Sequence, residues 1–400
     1  MLRAGVVRET APGETRVAVV PDAAAKLSQA KLEVLVEAGA GLASGHSDEA
    51  YREAHAQVLP DARAVYAGAD VVLKVREPRE VAGGPEADLL REGSVLIGFL
   101  DPARNAELIG RLAARQVTAF AMELVPRISR AQKMDALSSM STVAGYKAAL
   151  IGANSLGKFF PLLMTAAGTI APAHVFVLGA GVAGLQAIAT ARRLGAVVEA
   201  FDVRPAARDE VKSLGAKFVA LEMTDEKLVG EGGYARALTS EQEARERELI
   251  HAHVKTADLV ITTAMVPGRR APLLITEGMV RDMMPGAVIV DMGAEMGGNC
   301  ELTQPGATVI AHGVTIHGPI NLAATLPVHA SQMYSRNISS FLLNLVKDGA
   351  LALDFNDEIV RESCVTHQGR VLKGGAAPAP GDSRGVTAGA LAGATAKSAT

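Results

Sequence analysis

Three glycines placed between an apolar run and a helical pattern carry the clearest chemical signal in this chain. Gly179, Gly181 and Gly184 follow the run Val175 to Leu178 and open a helix predicted from about Val182 to Leu194. In such a unit the first glycine permits a tight turn, the second lets phosphate approach the backbone, and the third lets helix and strand pack closely. Free N–H groups at the helix start attract anions. We therefore expect a dinucleotide pyrophosphate to bind Gly179, Ala180, Gly181, Val182 and Gly184.

An aspartate at the end of the next predicted strand indicates which dinucleotide this is. Asp202 follows Val197 to Phe201, where a carboxylate accepts hydrogen bonds from the adenosine ribose. The same charge would face the 2′-phosphate of NADP(H), and like charges in contact cost roughly several kcal/mol. Arg204 argues the other way, since a nearby arginine can accommodate that phosphate. We weight the aspartate more heavily and expect NAD(H) at Asp202, Val203 and Arg204.

A second polar segment, Pro126 to Met140, lies where the chain enters the glycine-rich unit. Its arginine, glutamine, aspartate and serine side chains could hydrogen-bond a nicotinamide carboxamide and its ribose. As a bare pattern it is equally consistent with a polar hinge loop. The residues concerned are Arg127, Ile128, Ser129, Gln132, Lys133, Met134, Asp135 and Ser138.

Two cations suggest a different chemistry, the oxidation of a small acid. Such a reaction needs a proton-transferring group and a cationic clamp for a carboxylate. Arg16 precedes the β-branched run Val17 to Val20, and Lys74 interrupts the apolar run Val71 to Val75. On spacing alone they could equally be ordinary edge or interface cations. No pair of histidines has zinc-ligand spacing, and neither do the two cysteines, so we expect no metal site.

Composition excludes several classes of function. The chain has 400 residues, with 40 basic and 43 acidic side chains and a net charge of −3, which is no footprint for nucleic acid. Arg8 and Glu9 interrupt the N-terminus before a signal peptide could form. Prolines and glycines interrupt the most apolar stretch, so we expect no membrane span. The two cysteines, far apart, favour a reducing cytosol.

Alternating strand and helix patterns predict the elements that position these residues. Before the polar segment they indicate strands at Ala4–Val7, Val17–Val20, Leu32–Glu37, Val71–Val75, Val95–Leu100 and Thr118–Met122, with helices at Pro21–Gln29 and Asn105–Arg115. A second series has strands at Val175–Leu178, Val197–Phe201, Lys217–Ala220, Leu259–Thr262, Ala287–Asp291 and Thr308–Ile310. Strands alternating with helices predict an α/β protein with two doubly wound, parallel, Rossmann-like domains separated by a cleft.

The domain boundaries follow from where these patterns change. We expect one domain from residues 1–143 together with 327–373, and a NAD(H)-binding Rossmann domain from 144–326. Two crossings would then join the domains and form a hinged cleft. Residues 374–400 contain almost no large apolar side chain, which predicts a disordered tail.

Several motifs in order closely resemble the NAD(H)-binding component of proton-translocating NAD(P) transhydrogenase, over about residues 1 to 370. They are Arg127-Ile128-Ser129-Arg130-Ala131-Gln132 with Asp135 and Ser138, Gly179 to Gly184, Phe201 to Arg204, Gly232-Gly233-Tyr234-Ala235, Thr262-Thr263-Ala264, Pro267-Gly268 and Gly297-Gly298-Asn299-Cys300.

The resemblance implies direct hydride transfer from NAD(H) on this chain to NADP(H) on a separate component, coupled to proton movement by membrane-spanning subunits. It implies that Arg127, Gln132, Asp135 and Ser138 position the nicotinamide, that Gly233 and Tyr234 belong to a mobile loop over the nucleotide, and that Met265 lines its site. Such a transfer needs the reacting carbons roughly 3 to 3.5 Å apart, without a protein acid or base. It further implies a cytoplasmic homodimer, peripheral at the inner membrane through its partner subunits.

The chain also resembles alanine dehydrogenase, which shares both domains and residues like Arg16 and Lys74. That family uses a histidine where this chain has Asp101, and it lacks the 127–132 loop and the Gly-Gly-Tyr insert. We therefore interpret Arg16 and Lys74 as remnants of a shared substrate cleft. An alanine or other amino-acid dehydrogenase remains the alternative, and a noncatalytic NAD-sensing module is a third interpretation.

Overall fold

The computed structural model describes residues 1–220, 240–265 and 270–374. Its N-terminal portion contains β1 (Leu2–Val6), α1 (Pro21–Gln29), β2 (Leu32–Glu37), α2 (Asp48–Glu53), β3 (Gln57–Leu59), α3 (Ala62–Gly68), β4 (Val71–Leu73), β5 (Glu80–Val81), β6 (Gly84–Pro85), α4 (Glu86–Leu89), β7 (Val95–Gly98), α5 (Ala106–Ala114) and β8 (Thr118–Ala121). The main strands lie in the order β3-β2-β1-β4-β7-β8, all parallel. The order reverses between β1 and β4, as in a doubly wound sheet.

The middle of the chain forms a second sheet. Its elements are α6 (Ala136–Ser155), β9 (Leu163–Thr165), β10 (Gly168–Ile170), β11 (His174–Leu178), α7 (Val182–Arg193), β12 (Val197–Phe201), α8 (Ala207–Ser213), β13 (Lys217–Val219), α9 (Ser240–Val254), β14 (Leu259–Thr262), α10 (Glu277–Arg281), β15 (Val288–Asp291), β16 (Thr308–Ala311) and β17 (Val314–His317). The strand order is β13-β12-β11-β14-β15-β17-β16. Its switch point lies between β11 and β14, where α/β sheets bind ligands.

The C-terminal portion of the described chain returns to the first sheet. It contains α11 (Pro327–Asn344), β18 (Val346–Lys347), β19 (Ala350–Leu351), α12 (Glu358–Ser363), β20 (Cys364–His367) and β21 (Arg370–Val371). Strand β20 pairs antiparallel with β8, and β21 pairs with β20. The α/β class with two parallel-dominated sheets is confirmed, while the domain limits 143/144, 326/327 and 373/374 stay predictions, and residues 375–400 lie outside the described residues.

Both sheets are buried on their two faces, which explains their continuous apolar strands. In β11, Val175 and Val177 pack into one core, and Phe176 and Leu178 pack into another on the opposite face. The alternation follows from the two-residue period of a strand. Covered on both sides, the sheet exposes only its edges and the loops at its strand ends.

The prediction of a strand at Val17–Val20 is wrong. These residues are buried but irregular, and side chains of α11 satisfy their backbone amides. Val17 N donates to Ser331 Oγ and Val20 N donates to Ser335 Oγ, each at 3.0 Å. A buried amide needs a partner but not a strand, so the serines of a distant helix replace a sheet ladder here.

The parallel arrangement predicted for Thr308–Ile310 is also wrong. Strand β16 pairs antiparallel with β17 at the edge of the sheet, and β17 pairs parallel with β15. The reversal takes place at His312 and Gly313, which both have positive φ, at 53° and 80°. The tight turn adds a strand that sequence pattern did not reveal.

Helix α6 belongs to both halves of the molecule. Its residues Ala136, Met140 and Val143 pack into the core of the first sheet, and Ala148 and Ala149 pack into the core of the second. Across the described ranges 1–220, 240–265 and 270–374, no helix combines the length and the apolar run that crossing a bilayer requires.

Candidate functional site

The turn between β11 and α7 has the backbone geometry of a phosphate-binding loop. Gly179 adopts φ of 96°, in the left-handed region that favours glycine. A Cβ on Gly184 would lie 1.9 Å from Gly179 O, so only glycine lets the helix start this close to the strand. A Cβ on Gly181 would meet nothing within 4 Å, which leaves open space beside the first N–H groups of α7. The turn is therefore shaped to admit an anionic group.

Asp202 fastens this turn to the next strand. Its carboxylate accepts a hydrogen bond from Ala180 N at 2.7 Å and lies where β12 ends. Arg204 donates to the same carboxylate from its backbone N, Nε and Nη2, at 2.8, 2.9 and 2.8 Å. Only 7% of the Asp202 side chain is exposed, against 27% for Arg204. The aspartate thus stands beside the phosphate turn as predicted, and the arginine partly neutralises its charge.

The end of β14 closes the other side of the switch point. Thr263 Oγ1 donates to Gly179 O at 3.0 Å, and a Cβ on Gly179 would lie 2.6 Å from that hydroxyl. Met265 follows and is 38% exposed, as expected for a residue that lines a groove. The predicted residues Gly179 to Gly184, Asp202 and Met265 therefore come together at one edge of the second sheet.

A buried carboxylate beneath this edge was not found from the sequence. Asp291, at the end of β15, has no exposed surface, and five donors surround it. They are Thr262 Oγ1, Gly293 N, Asn299 N, Cys300 N and Thr303 Oγ1, at 2.6 to 3.0 Å. Such a set of donors stabilises a carboxylate without a counter-ion.

Asn299 extends this arrangement to the groove. Its Nδ2 donates to Ala264 O and Pro272 O, both at 2.8 Å, and so holds the chain on either side of Met265. Gly297 and Gly298 both have positive φ, at 97° and 79°. This double reversal aims the amides of Asn299 and Cys300 at Asp291. The Gly-Gly-Asn-Cys motif could have signalled the role, since paired glycines before a polar residue mark a forced turn.

The segment after β8 is a three-residue-per-turn helix, which explains how its residues divide. Ser129–Met134 is a 3₁₀ helix, so side chains three apart share a face. Ile128, Ala131 and Met134 pack into the core of the first sheet. Arg127, Ser129, Gln132 and Lys133 are exposed. The apolar residues predicted in this loop anchor it, and the polar ones are presented to solvent.

Asp135 ends the loop and begins α6. Its carboxylate accepts from Ser138 N at 2.8 Å and from Ser138 Oγ at 2.5 Å, which is the geometry of a helix N-cap. Two residues predicted to position nicotinamide therefore bond to each other. Their arrangement fixes the direction in which the loop leaves the helix.

Arg130, which shares the loop, serves as an anchor. Its guanidinium pairs with both oxygens of Asp357 at 2.8 and 2.5 Å. The Arg130 guanidinium lowers the pKa of Asp357 to about 2, and the carboxylate also caps α12 through Ile359 N. A bidentate pair is directional, so it ties the loop to the C-terminal segment.

Arg16 and Lys74 do not point into an open site. Arg16 is 4% exposed, and its guanidinium donates to both oxygens of Glu14, at 2.7 and 2.6 Å, and to Asn321 Oδ1. Lys74 has no exposed surface, and its Nζ lies 3.2 Å from Glu86 Oε1 and 3.6 Å from Glu9 Oε2. Burial alone would lower the pKa of Lys74, but the Glu9 carboxylate and the other groups around it raise that pKa above its ordinary value. Carboxylates of the chain itself occupy both cations.

A buried glutamate was also missed by sequence reasoning. Glu123 Oε1 accepts from Leu100 N at 2.9 Å and from Asp101 N at 2.5 Å, and Oε2 is buried without a hydrogen-bond partner among the described residues. Burial raises the pKa of Glu123 to about 7, and the nearby Asp101 carboxylate acts in the same direction. Asp101 itself has φ of 43° and pairs with Arg104. No histidine occupies this turn.

Two predicted site residues, Gly233 and Tyr234, lie outside the described residues, as do Pro267 and Gly268. Within the parts of the chain that are described, no group of three or more His, Cys, Asp or Glu side chains could hold a metal ion. The geometry therefore offers a dinucleotide groove, an exposed polar loop at the start of α6, and two cations already paired.

Comparison with known proteins gives two adjoining family matches. Residues 5–144 match the N-terminal domain described as "Alanine dehydrogenase/PNT", and residues 148–374 match its C-terminal domain. Together these matches span most of the chain.

Individual relatives agree with this match. "NAD(P) transhydrogenase subunit alpha" of Cereibacter sphaeroides is 46% identical over 376 residues, covering 92% of this chain and 71% of its own. An NAD(P) transhydrogenase subunit alpha chain of Rhodospirillum rubrum is 44% identical over 375 residues, covering 93% and 98%. A solved transhydrogenase from Sinorhizobium meliloti superposes with a TM-score of 0.83 at 44% identity, covering 92% of this chain and all of that one.

A solved L-alanine dehydrogenase superposes less closely. Its TM-score is 0.78 at 29% identity, and the match covers 93% of this chain and 97% of that one. The two kinds of relative share the architecture, so the residues in the cleft must separate them.

Proposed function

The chain belongs to the alanine dehydrogenase/PNT family, and we propose that it is the NAD(H)-binding component of a proton-translocating NAD(P) transhydrogenase. Its relatives named as transhydrogenase alpha subunits support a transhydrogenase component. The finer statement is direct hydride transfer between NAD(H) on this chain and NADP(H) on a partner component, with proton translocation carried out by membrane-spanning subunits. In that arrangement the chain is cytoplasmic and peripheral at the inner membrane.

The observation that carries the proposal is the state of Arg16 and Lys74. An amino-acid dehydrogenase needs a cation free to clamp a substrate carboxylate and a group that takes a proton. Here Glu14 holds Arg16, while Glu9 and Glu86 surround Lys74. Hydride transfer between two nicotinamides needs neither group, only alignment of the reacting carbons. The cleft is thus better suited to presenting NAD(H) than to a small acid.

The residues fit NAD(H) at three places. The open backbone at Gly181, with Ala180, Val182 and Gly184, would hold the pyrophosphate. Asp202, braced by Arg204 and followed by Val203, would accept the ribose hydroxyls, and Met265 would line the groove. NAD(H), when bound, supplies or accepts the hydride.

The loop at the start of α6 would hold the nicotinamide end. Arg127, Ser129 and Gln132 are exposed on it, and Asp135 and Ser138 fix its direction. Lys133 is exposed as well, while Ile128 and Met134 anchor the loop from below. Gly233 and Tyr234 are proposed from the family resemblance to close over the nucleotide.

The deciding experiment combines the purified chain with an NADP(H)-binding transhydrogenase component of a relative. We expect NADH to reduce NADP⁺ or an analogue of it only when both proteins are present. If no hydride passes while both nucleotides are bound, the proposal fails. NADH formation from alanine and NAD⁺ by the chain alone would instead establish the alternative, amino-acid dehydrogenase activity.

We also propose that the chain is a homodimer. Strands β9 and β10 form a hairpin whose surroundings are apolar and exposed, with Phe159 at 56%, Leu162 at 54%, Met164 at 81% and Ile170 at 37%. Beside the base of the hairpin lies a cavity of about 600 Å³ lined by Leu150, Ile151 and Leu194. A second copy would cover these side chains, which are unusually apolar for a surface. Sedimentation should show a dimer for the wild type and a monomer for Met164→Glu, and a monomeric wild type would refute the proposal.

A further inference from the structure

Gly145, in the middle of α6, makes the closest approach between this helix and the phosphate turn. A Cβ built on Gly145 would lie 2.0 Å from Ala183 O, 2.8 Å from Ala183 C and 3.0 Å from Ala183 Cα. All three atoms are backbone, so no rotamer change could relieve the contact. Gly145 has an ordinary helical conformation, since it is not among the residues with positive φ. Its missing side chain therefore serves close packing and not backbone freedom.

The contact fixes where the polar loop stands relative to the phosphate turn. Ala183 is in the first turn of α7, directly after Gly181 and Val182. Asp135, the cap of α6, lies ten residues before Gly145, which is about 15 Å along a helix that rises 1.5 Å per residue. The helix is continuous from Ala136 to Ser155 and packs into both cores.

We infer that α6 is a rigid arm and that Gly145 sets its register, so that the loop 127–135 keeps a constant distance from the phosphate turn. This inference rests on the proposed function in one respect, namely that the loop positions nicotinamide. It departs from a simple hinged cleft, because the loop would move together with the NAD(H)-binding unit. Gly145 is in this sense a positioning residue that acts through the loop.

Three glycine-to-alanine variants separate positioning from binding and from folding. Gly145→Ala forces α6 and α7 apart by about 1 Å, because ordinary Cβ contacts begin above 3.0 Å. A misplacement of that size costs about 10²-fold in transfer rate, and we expect NADH affinity to change by less than about tenfold. Gly184→Ala obstructs the phosphate turn itself and should lose binding and transfer together. Gly110→Ala, in α5, meets nothing within 4 Å and should change neither.

The measurements are NADH binding by fluorescence and hydride transfer with the partner component. Transfer at the wild-type rate in a folded Gly145→Ala protein would overturn the inference. It would also be overturned if Gly145→Ala lost binding and transfer in parallel, as Gly184→Ala should. If the wild type itself transfers no hydride, the proposed function fails, and a distance between two spin labels then decides the inference alone.

This distance measurement keeps the inference testable should Gly145→Ala not fold. Spin labels on Lys133→Cys and Arg193→Cys, both exposed positions, report on the loop and on the far end of α7. The native Cys300 and Cys364 are buried and should not compete for the label. We expect the same distance with and without NADH. A change greater than about 3 Å, two residues of helical rise, would show that α6 is not a rigid arm.

Discussion

Replacing Asp202 with asparagine tests the choice between NAD(H) and NADP(H). The carboxylate accepts from Ala180 N and from three donors of Arg204, at 2.7 to 2.9 Å. Asparagine has the same size but only one acceptor oxygen, so its amide must face a donor at Ala180 or at Arg204. The substitution removes the negative charge and releases part of the Arg204 guanidinium.

The expected magnitude follows from charge-assisted hydrogen bonding. A hydrogen bond to a charged group contributes about 1.5 to 3 kcal/mol, and the adenosine ribose would lose at least one such acceptor. Since about 1.4 kcal/mol is a factor of ten, the dissociation constant of NADH should rise at least about tenfold. NADPH should bind more tightly than to the wild type, because the like charge is gone and Arg204 can pair with the 2′-phosphate.

The assay is equilibrium titration of NADH and NADPH fluorescence on the wild type and on Asp202→Asn. Asp209→Asn is the matched control, because it makes the same chemical change at an exposed position of α8 and should leave both affinities unchanged. An unaltered ratio of the two affinities in a folded Asp202→Asn protein would refute the role given to this carboxylate.

Three further predictions concern residues elsewhere in the site. Arg127→Ala should slow hydride transfer about 10²-fold while NADH binding and dimerisation persist; transfer at the wild-type rate would contradict its positioning role. Asn299→Ala should lower the free energy of unfolding by about 2 to 4 kcal/mol, because it leaves Ala264 O and Pro272 O without their donor; urea unfolding checks this, and a loss below about 1 kcal/mol would show that the carbonyls find other partners. Burial raises the pKa of Glu123 above that of the unfolded chain, so its contribution to stability is full below about pH 4.5 and is lost as pH rises through about 7. Glu123→Gln should therefore stabilise the protein relative to wild type at about pH 8.5 but not at about pH 4.5, and equal effects at both pH values would exclude titration of Glu123 as the cause.

The elements whose bounds the sequence predicts correctly depend on local patterns. Helix α1 and strands β2, β12 and β14 have the predicted bounds, because apolar spacing and flanking residues define them without reference to the rest of the chain. The phosphate turn is equally local, since Gly179 and Gly184 are required by a backbone approach within six residues. The family resemblance, drawn from motifs in order, is confirmed by the matches over both halves of the chain.

Predictions fail where a distant partner replaces a local one. The pattern of Val17 to Val20 predicts a strand, yet serines of α11 more than 300 residues away bind their amides. Periodicity reports which residues are buried but not what satisfies their hydrogen bonds. The same limit applies to the two cations, because nothing in the spacing of Arg16 or Lys74 reveals the carboxylates that hold them.

The sequence by itself determined the dinucleotide-binding turn, the acidic residue beside it and the polar loop before α6, since residue type and short spacing suffice for each. Tertiary structure alone decided how these pieces stand to one another. Gly145 seats α6 against Ala183, Asp291 gathers five donors beneath the groove, and Asn299 secures the chain around Met265. These contacts join residues far apart in the chain, and their energies depend on atomic distances that no local pattern specifies.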